Sequence, residues 1–325
     1  MGTGPFRFLE WRKGQRIVLL ANRDYWGTKP YLERLIFEPF SDNISCQRQI
    51  ERNNIDVMTN VAFSSIDELK QNPDITIAHL SSYNLAYVAI NCQRAPYNQK
   101  SFRQALNQLV KRREIIDEPG ASRVLPAVSP LPPGMAGYSP LKIVYPAVTA
   151  KTLKRYGERC APLLIYPDTV QPYLNDPGAV AAKICSNLNE GGIRAQSQKL
   201  PYGEFTRKIR YGEYDLALWG TVDETGDPDA FLVLPWDPLN AVPGGTNICF
   251  YLNGALHNLL WKARSMGNTA RRATLYSQIA RQIADDTPMI PLVYGHEVVV
   301  YSKKLRGMGL NPSGLYDLAT VWREK

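Results

Sequence analysis

The sequence contains few residues of the kinds that bind metals or form covalent cross-links. Its three histidines, His79, His257 and His296, are too scattered along the chain to indicate a metal cluster. The cysteines are odd in number and form no C-x-x-C pair, so neither a zinc site nor a thioredoxin-like motif is indicated. Spacing leaves open whether any thiols pair; they are Cys46, Cys92, Cys160, Cys185 and Cys249. We expect no metal and no cofactor.

Catalytic motifs and long apolar runs are also missing. The sequence has no G-x-S-x-G, H-E-x-x-H, P-loop or Rossmann fingerprint, which favours a protein that is not an enzyme. No apolar run approaches the roughly 20 residues that a membrane-spanning helix needs, and we expect no membrane span. The opening letters, MGTGPFRFLEW, contain no apolar signal-peptide segment, so a leader of an exported protein would lie outside this chain.

Positive charge is in excess but is not concentrated. The chain has 38 Lys and Arg against 30 Asp and Glu, which gives a formal net charge of +8. The densest basic run, residues 111–113, is only three residues long and has no aromatic stacking motif beside it. This distribution is typical of solvated helix faces, and we expect no nucleic-acid partner.

Strand and helix patterns alternate over 325 residues, a length that suits two domains or one large domain. The runs RIVLLAN and APLLIYP predict buried strands. DPGAVAAKICSNLNEGG predicts a helix that is capped by Asp176 and ends at Gly191, and Ser65 with Glu68 has the spacing of a capping box. Six prolines predict a long loop within residues 118–140. This order predicts an α/β fold with mixed sheets in two lobes.

Four acids follow an apolar strand within the stretch YDLALWGTVDETGDPDAF. Asp227, Pro228 and Asp229 have the order of a helix start, with an N-cap, a proline in the first turn and an acid at the positive end of the helix dipole. That interpretation leaves Asp223 and Glu224 unexplained. They belong either to a solvated turn or to a site where a cation loses its water.

Five segments, taken together, resemble one protein family and follow that family's order: GTGPFRFLEWRKGQRIVLLANRDYWGTKP, SSYNLAYVAINCQRAPYNQKSFRQALNQLVKRREII, SPLPPGMAGY, YDLALWGTVDETGDPDAF and LYSQIARQIADDTPMIPLVYGHEVVVYSKKLRGM. The family is that of the peptide- and nickel-binding solute receptors of bacterial ABC importers, extracellular solute-binding protein family 5. The closing VWREK is similar to the branch linked to antimicrobial-peptide uptake. The resemblance covers nearly the whole chain.

The resemblance implies a periplasmic-binding-protein-like fold of type II, with two lobes of mixed sheets joined by a hinge. It implies that residues 1–110 belong to a large lobe without its N-terminal strands, that 111–290 form a second lobe, and that 291–325 return to the first. The family's N-terminal third is then absent from this chain. The implied function is capture of a peptide between the lobes and delivery to a membrane permease, by a monomer in the periplasm or cell envelope. The alternative is a degenerate or repurposed receptor-like domain that acts as a sensor or scaffold without transport.

For the acidic loop, the resemblance implies that Glu224 receives the N-terminal ammonium of the peptide, with Asp223 as the second candidate. A carboxylate at this point replaces the hydration that the ammonium loses. Gly220 matches the family glycine beside which the peptide backbone pairs with the strand, and Thr221 and Val222 continue that strand edge. Thr221 stands where the family has a tryptophan, so the usual aromatic wall is missing there.

A second departure concerns the far end of the ligand. Dipeptide-binding members place an arginine before a Pro-Tyr pair to clamp the ligand carboxylate, and here Gln171 precedes Pro172 and Tyr173. Glutamine offers no charged fork, so a longer peptide or a different ligand fits better than a dipeptide. Tyr173 forms either a pocket wall or the packing of a turn. We expect Trp219 in the core, on the sheet face opposite Gly220.

Overall fold

A computed structural model of the protein describes residues 2–59, 61–62, 65–116, 125–174, 176–309 and 311–324. The chain divides into two compact units, residues 1–80 with 297–325 and residues 81–296. The first of these boundaries falls earlier than the lobe boundary expected after residue 110. The lobes inferred from the family resemblance therefore stay a prediction.

The first unit begins with a three-stranded antiparallel sheet followed by two short helices. Its elements up to residue 80 are β1 (Phe6–Arg12), β2 (Arg16–Ala21), β3 (Arg34–Phe37), α1 (Asn43–Glu51), β4 (Val57–Met58), α2 (Ile66–Leu69) and the start of β5 (Ile75–Ile90). Strands β1, β2 and β3 are neighbours in that order. A tight turn joins the first two, and Gly14 in that turn has a φ of +76°, which a glycine adopts without strain. The run RIVLLAN predicted the middle strand of this sheet, β2.

The sheet of the first unit leaves large apolar side chains in solvent. Phe8 is 65% exposed and Trp11 is 63% exposed. The buried cluster of this unit is formed by other residues, namely Ile50, Met58, Val61, Ile66, Leu69, Ile75, Val298 and Val300. Apolar burial in the first unit is therefore concentrated away from this sheet.

The capping box predicted at Ser65 is wrong. Helix α2 does begin at Ile66, but Ser65 has a helical φ of −83° and its side chain makes no capping hydrogen bond. The Glu68 carboxylate accepts a hydrogen bond from Gln47 Nε2 at 2.9 Å instead. A contact with a residue distant in sequence thus replaces the local bond that a capping box needs.

The second unit contains most of the helices and the larger sheet. After the end of β5, its elements are α3 (Lys100–Leu109), α4 (Arg112–Ile116), β6 (Leu125–Pro126), α5 (Ala150–Arg159), β7 (Leu163–Pro167), α6 (Pro177–Glu190), β8 (Gln196–Leu200), α7 (Tyr202–Arg210), β9 (Leu216–Val222), α8 (Pro228–Trp236), α9 (Gly254–Arg264), α10 (Thr269–Asp286) and β10 (Met289–Ser302). Strand β10 runs on into the first unit, which closes with β11 (Leu305–Arg306) and β12 (Trp322–Arg323).

The sheet of the second unit is mixed, as predicted. Its strands lie in the order β10-β5-β9-β7-β8, and β6 pairs with β10. Strand β7 is parallel to both of its neighbours, whereas β5 and β9 are antiparallel. Successive residues of β9 face opposite sides of this sheet. Leu216 and Leu218 belong to one buried cluster, while Ala217 belongs to the other cluster and Trp219 packs against it. The core position expected for Trp219 is confirmed.

Local helix signals in the second unit are confirmed. Asp176 caps α6, with its Oδ1 accepting from Ala179 N at 2.9 Å, and the helix ends before Gly191. Asp227 caps α8 in the same way, accepting from Asp229 N at 2.8 Å. In the Pro-rich stretch predicted as a loop, residues 118–124 lie outside the described residues, and β6 is the regular element in the remainder.

Candidate functional site

Strand β9 has one fully paired edge and one edge that is paired only at its start. Toward β5 it pairs from Leu216 to Val222, whereas toward β7 it pairs only at Leu216 and Ala217. Beyond Ala217, no strand in the described part of the chain pairs with this second edge. An extended segment could add there through main-chain hydrogen bonds.

The direction of the main-chain groups of β9 follows from the register. Asp223 N donates to Tyr83 O at 3.0 Å, on the β5 side. Residues of an antiparallel pair alternate between bonding the neighbour and pointing away from it. The main-chain groups of Gly220 and Val222 therefore point away from β5, toward the open edge.

Tyr173 packs directly on Gly220. A Cβ added at Gly220 would lie 2.3 Å from Tyr173 Cγ and 2.5 Å from both Cδ atoms, so only glycine fits beneath the ring. Tyr173 is 7% exposed and belongs to the same buried cluster as Leu218. Burial raises the pKa of its hydroxyl well above the usual value, and Tyr202 adds to the rise. The structure thus gives Tyr173 a packing role and gives Gly220 a steric reason to be glycine.

Gln171 is buried and uses its amide within its own turn. Its Nε2 donates to Thr169 O at 3.1 Å and to Thr169 Oγ1 at 2.9 Å, and its Oε1 accepts from the Tyr173 hydroxyl at 3.4 Å. Its main chain pairs with Leu174 in both directions. The position at which the family's dipeptide binders have a charged clamp is occupied here by a residue that orders the turn.

Asp223 is also turned inward. Its side chain is buried, and its Oδ1 accepts from Thr225 N at 3.2 Å and from Thr225 Oγ1 at 2.8 Å. Its Oδ2 accepts from Gly226 N at 2.6 Å, and Gly226 has a φ of +73°, which completes the sharp bend. The carboxylate therefore shapes the loop that follows β9.

The chain itself supplies positive partners for Asp227 and Asp229. Arg272 binds Asp227 with both guanidinium ends, each at 2.9 Å, and Arg264 Nε lies 3.5 Å from Asp229 Oδ2. Tyr276 also donates to Asp229, at 3.4 Å. Burial opposes ionisation of Asp227, but the Arg272 guanidinium and the Asp229 N–H outweigh it and lower the pKa of Asp227. The two arginines come from α9 and α10, and no local sequence signal pointed to them.

Glu224 differs from the other three acids. Its side chain is exposed and makes no hydrogen bond or ion pair with the described residues. It follows Thr221, which is half-buried, and Val222, which is 44% exposed. Among the described contacts, Glu224 is thus the unmatched acid of the loop, and it lies at the end of the open strand edge.

Residues 1–241 match the family model for bacterial extracellular solute-binding proteins, family 5 (middle). The chain belongs to this family. The family assignment confirms the resemblance read from the sequence.

Relatives of this solute-binding protein include Di/tripeptide-binding protein 2 of Pseudomonas aeruginosa, which is 27% identical over 326 residues. That alignment covers 99% of this chain but 61% of the relative, so the chain spans about three fifths of its relative's length. Other relatives also bear peptide-binding names, and one is named a periplasmic protein. These names agree with the predicted class of peptide-binding receptors of ABC importers.

Two solved structures show the fold of this chain. HbpA2 from Haemophilus parasuis has 26% identity and a TM-score of 0.87, over 100% of this chain and 64% of that one. The ABC transporter-associated periplasmic binding protein DppA from Helicobacter pylori, solved with the peptide STSA, has 26% identity and a TM-score of 0.79, over 100% and 63%. The predicted type II periplasmic-binding-protein fold is confirmed.

The described residues offer neither a membrane span nor a metal site. In the ranges described, no helix is both long and apolar enough to span a bilayer, and no group of three or more His, Cys, Asp or Glu could hold a metal ion. All five cysteines have free thiols in this structure. Burial raises the pKa of Cys92 and of Cys160 to about 11.

Proposed function

We propose that this chain binds peptides as the substrate-binding component of an ABC importer in the periplasm or cell envelope, and that it passes them to a membrane permease. The observation that carries the proposal is the open edge of β9, which leads directly to the unmatched carboxylate of Glu224. The names of the relatives and the peptide in one related structure support it. The proposal includes no chemical step.

In the proposed complex, the peptide lies extended along β9. The main-chain groups of Gly220 and Val222 pair with the peptide backbone, which gives affinity without reading side chains. The peptide ammonium lies at Glu224, which replaces part of its lost hydration. Thr221 continues the same strand, and Asp223 shapes the loop that carries Glu224. Gln171 and Tyr173 belong to the turn that packs on Gly220.

The ligand is proposed to be longer than a dipeptide. Gln171 carries no charge, and its amide is engaged with Thr169 and Tyr173, so it does not offer a charged fork to a terminal carboxylate. The free energy of binding then comes from the ammonium and the backbone. A longer peptide offers more backbone groups to the strand edge than a dipeptide does.

Isothermal titration calorimetry of the purified protein with peptides of two to six residues tests this function. We expect binding by the longer peptides, and we expect amidation of the peptide carboxyl group to change Kd by less than about threefold, below 0.7 kcal/mol. A marked preference for free-carboxylate dipeptides would contradict the proposed ligand class. If none of the peptides bound to folded protein, the importer function itself would be refuted.

The alternative is a receptor-like domain that serves as a sensor or scaffold without transport. The uncharged Gln171 and the replacement of the family tryptophan by Thr221 favour this candidate. Folded protein that binds no peptide by calorimetry and carries no small molecule in native mass spectrometry would support it.

A further inference from the structure

The second unit contains a small cavity that is separate from the β9 edge. It has a volume of about 160 Å³. Its polar lining comes from Asn107, Arg112 and Tyr145, and its apolar lining includes Leu141, Ile143 and Met289. A single water needs only about 10–15 Å³ measured in the same way, so there is room for a larger molecule.

Arg112 brings a positive charge to this cavity, and none of the described acids pairs with it. Its Nε donates to Pro291 O at 2.6 Å, and its Nη2 donates to Asn107 Oδ1. No carboxylate of the described residues lies within ion-pair distance of the guanidinium, and Nη1 makes no hydrogen bond to them. Burial lowers the pKa of Arg112, although Tyr145 and Tyr294 oppose this shift. Arginine has five N–H donors, and the described residues accept two of them, which leaves three for a ligand as far as those residues go.

The lining restricts the chemistry of that ligand. A guanidinium with free donors binds planar carboxylates and phosphates, which accept two parallel hydrogen bonds. Leu141, Ile143 and Met289 offer no donors to the other oxygens of a phosphate, which would lose their hydration at a cost. A carboxylate with a short aliphatic chain places its charge at Arg112 and its methylene groups against the apolar wall.

We propose that this cavity is a binding site for a short-chain aliphatic carboxylate, held by Arg112 and by the apolar side chains that line the same cavity. The site joins the junction of α3 and α4 to the start of β10, because Asn107, Arg112 and Pro291 meet there. A bound carboxylate therefore stabilises the folded second unit by mass action. This site does not depend on the peptide-binding proposal.

Sodium butyrate is the probe, and thermal unfolding and calorimetry are the measurements. We expect butyrate to raise the Tm of the purified protein by a few degrees, relative to sodium chloride or sodium phosphate of equal ionic strength. Arg112→Gln weakens butyrate binding at least tenfold. The matched control is Arg113→Gln, which removes an exposed arginine next in the chain and leaves butyrate binding unchanged.

A second variant keeps the test decisive if Arg112→Gln does not fold. Ala284→Leu places three extra carbon atoms in the cavity wall and leaves Arg112 intact. We expect it to weaken butyrate binding at least tenfold. Equal binding of butyrate by the wild type and by Ala284→Leu, or an equal Tm shift with phosphate or chloride, would overturn the proposal.

Discussion

Two kinds of residue occupy the stretch from Gly220 to Asp229. Gly220, Asp223, Asp227 and Asp229 are matched within the chain, by a tyrosine ring, by loop N–H groups and by two arginines. Glu224 stands among them and has no partner in the described part of the chain. A cluster of acids in the sequence therefore does not by itself identify a ligand site. The candidate is the acid that the fold leaves without a partner among the described residues.

Among these variants, we expect the largest loss of stability at Gly220, which packs against Tyr173 of the same chain. Gly220→Val drives carbon atoms into the Tyr173 ring, and we expect a loss of roughly 3 kcal/mol in the free energy of unfolding. Urea denaturation measures it. The control is Gly203→Ala in α7, where a Cβ meets nothing within 4 Å and helix propensity favours alanine by about 0.5–1 kcal/mol. Equal stability of Gly220→Val and wild type would contradict the packing seen here.

We expect the second-largest loss of stability for Asp223→Ala. It leaves the N–H groups of Thr225 and Gly226 without their charged acceptor, and we expect a loss of about 2 kcal/mol in the free energy of unfolding. Asp223→Asn retains one acceptor oxygen and should lose less. Urea denaturation of both variants checks the order, and an Ala variant as stable as the Asn variant would show that these hydrogen bonds contribute nothing.

Asp227→Asn should destabilise the protein by about 1 kcal/mol at neutral pH, because the N-cap is kept but the charge that pairs with Arg272 is lost. The folded pKa of Asp227 is lowered, so its contribution is present above the unfolded pKa of about 4. That contribution disappears as pH falls through the lower, folded pKa. Chemical denaturation across pH 2–7 tests this, and a wild-type-to-variant difference that grows toward low pH would contradict the sign.

Glu224→Gln should have the smallest effect on the fold. The side chain is exposed and unpaired, so we expect the free energy of unfolding to change by less than about 0.5 kcal/mol. Thermal and urea unfolding provide the measurement. A larger loss in the free energy of unfolding would mean that Glu224 has a partner within the chain. That result would contradict the contrast between Glu224 and the other three acids.

Much of this region could be predicted from local sequence. The helix start at Asp227 and the opposite faces of Gly220 and Trp219 follow from rules that span a few residues. The partners could not be predicted in the same way. Arg272 lies far along the chain from Asp227, and a single sequence does not show which distant side chains meet.

Contacts between residues distant in sequence also explain two other features that the sequence did not predict. The Tyr173 ring contacts Gly220 because the turn after β7 packs on β9. Glu68 accepts a hydrogen bond from Gln47, and the predicted capping box does not form. The order of strand and helix patterns predicted an α/β fold with mixed sheets, and the family resemblance added the type II periplasmic-binding-protein fold. The resemblance also pointed to Glu224, the acid of this loop that no described residue pairs with.

Calorimetry on Glu224→Gln and wild type, each titrated with one peptide in free-amine and N-acetylated forms, tests the central claim most directly. For the wild type, we predict that acetylation weakens binding tenfold or more, on the order of 1.4 kcal/mol. Glu224→Gln should bind the free-amine peptide as weakly as the wild type binds the acetylated one, with little further loss on acetylation. Equal wild-type affinity for both peptide forms would contradict the assignment of Glu224 to the peptide ammonium.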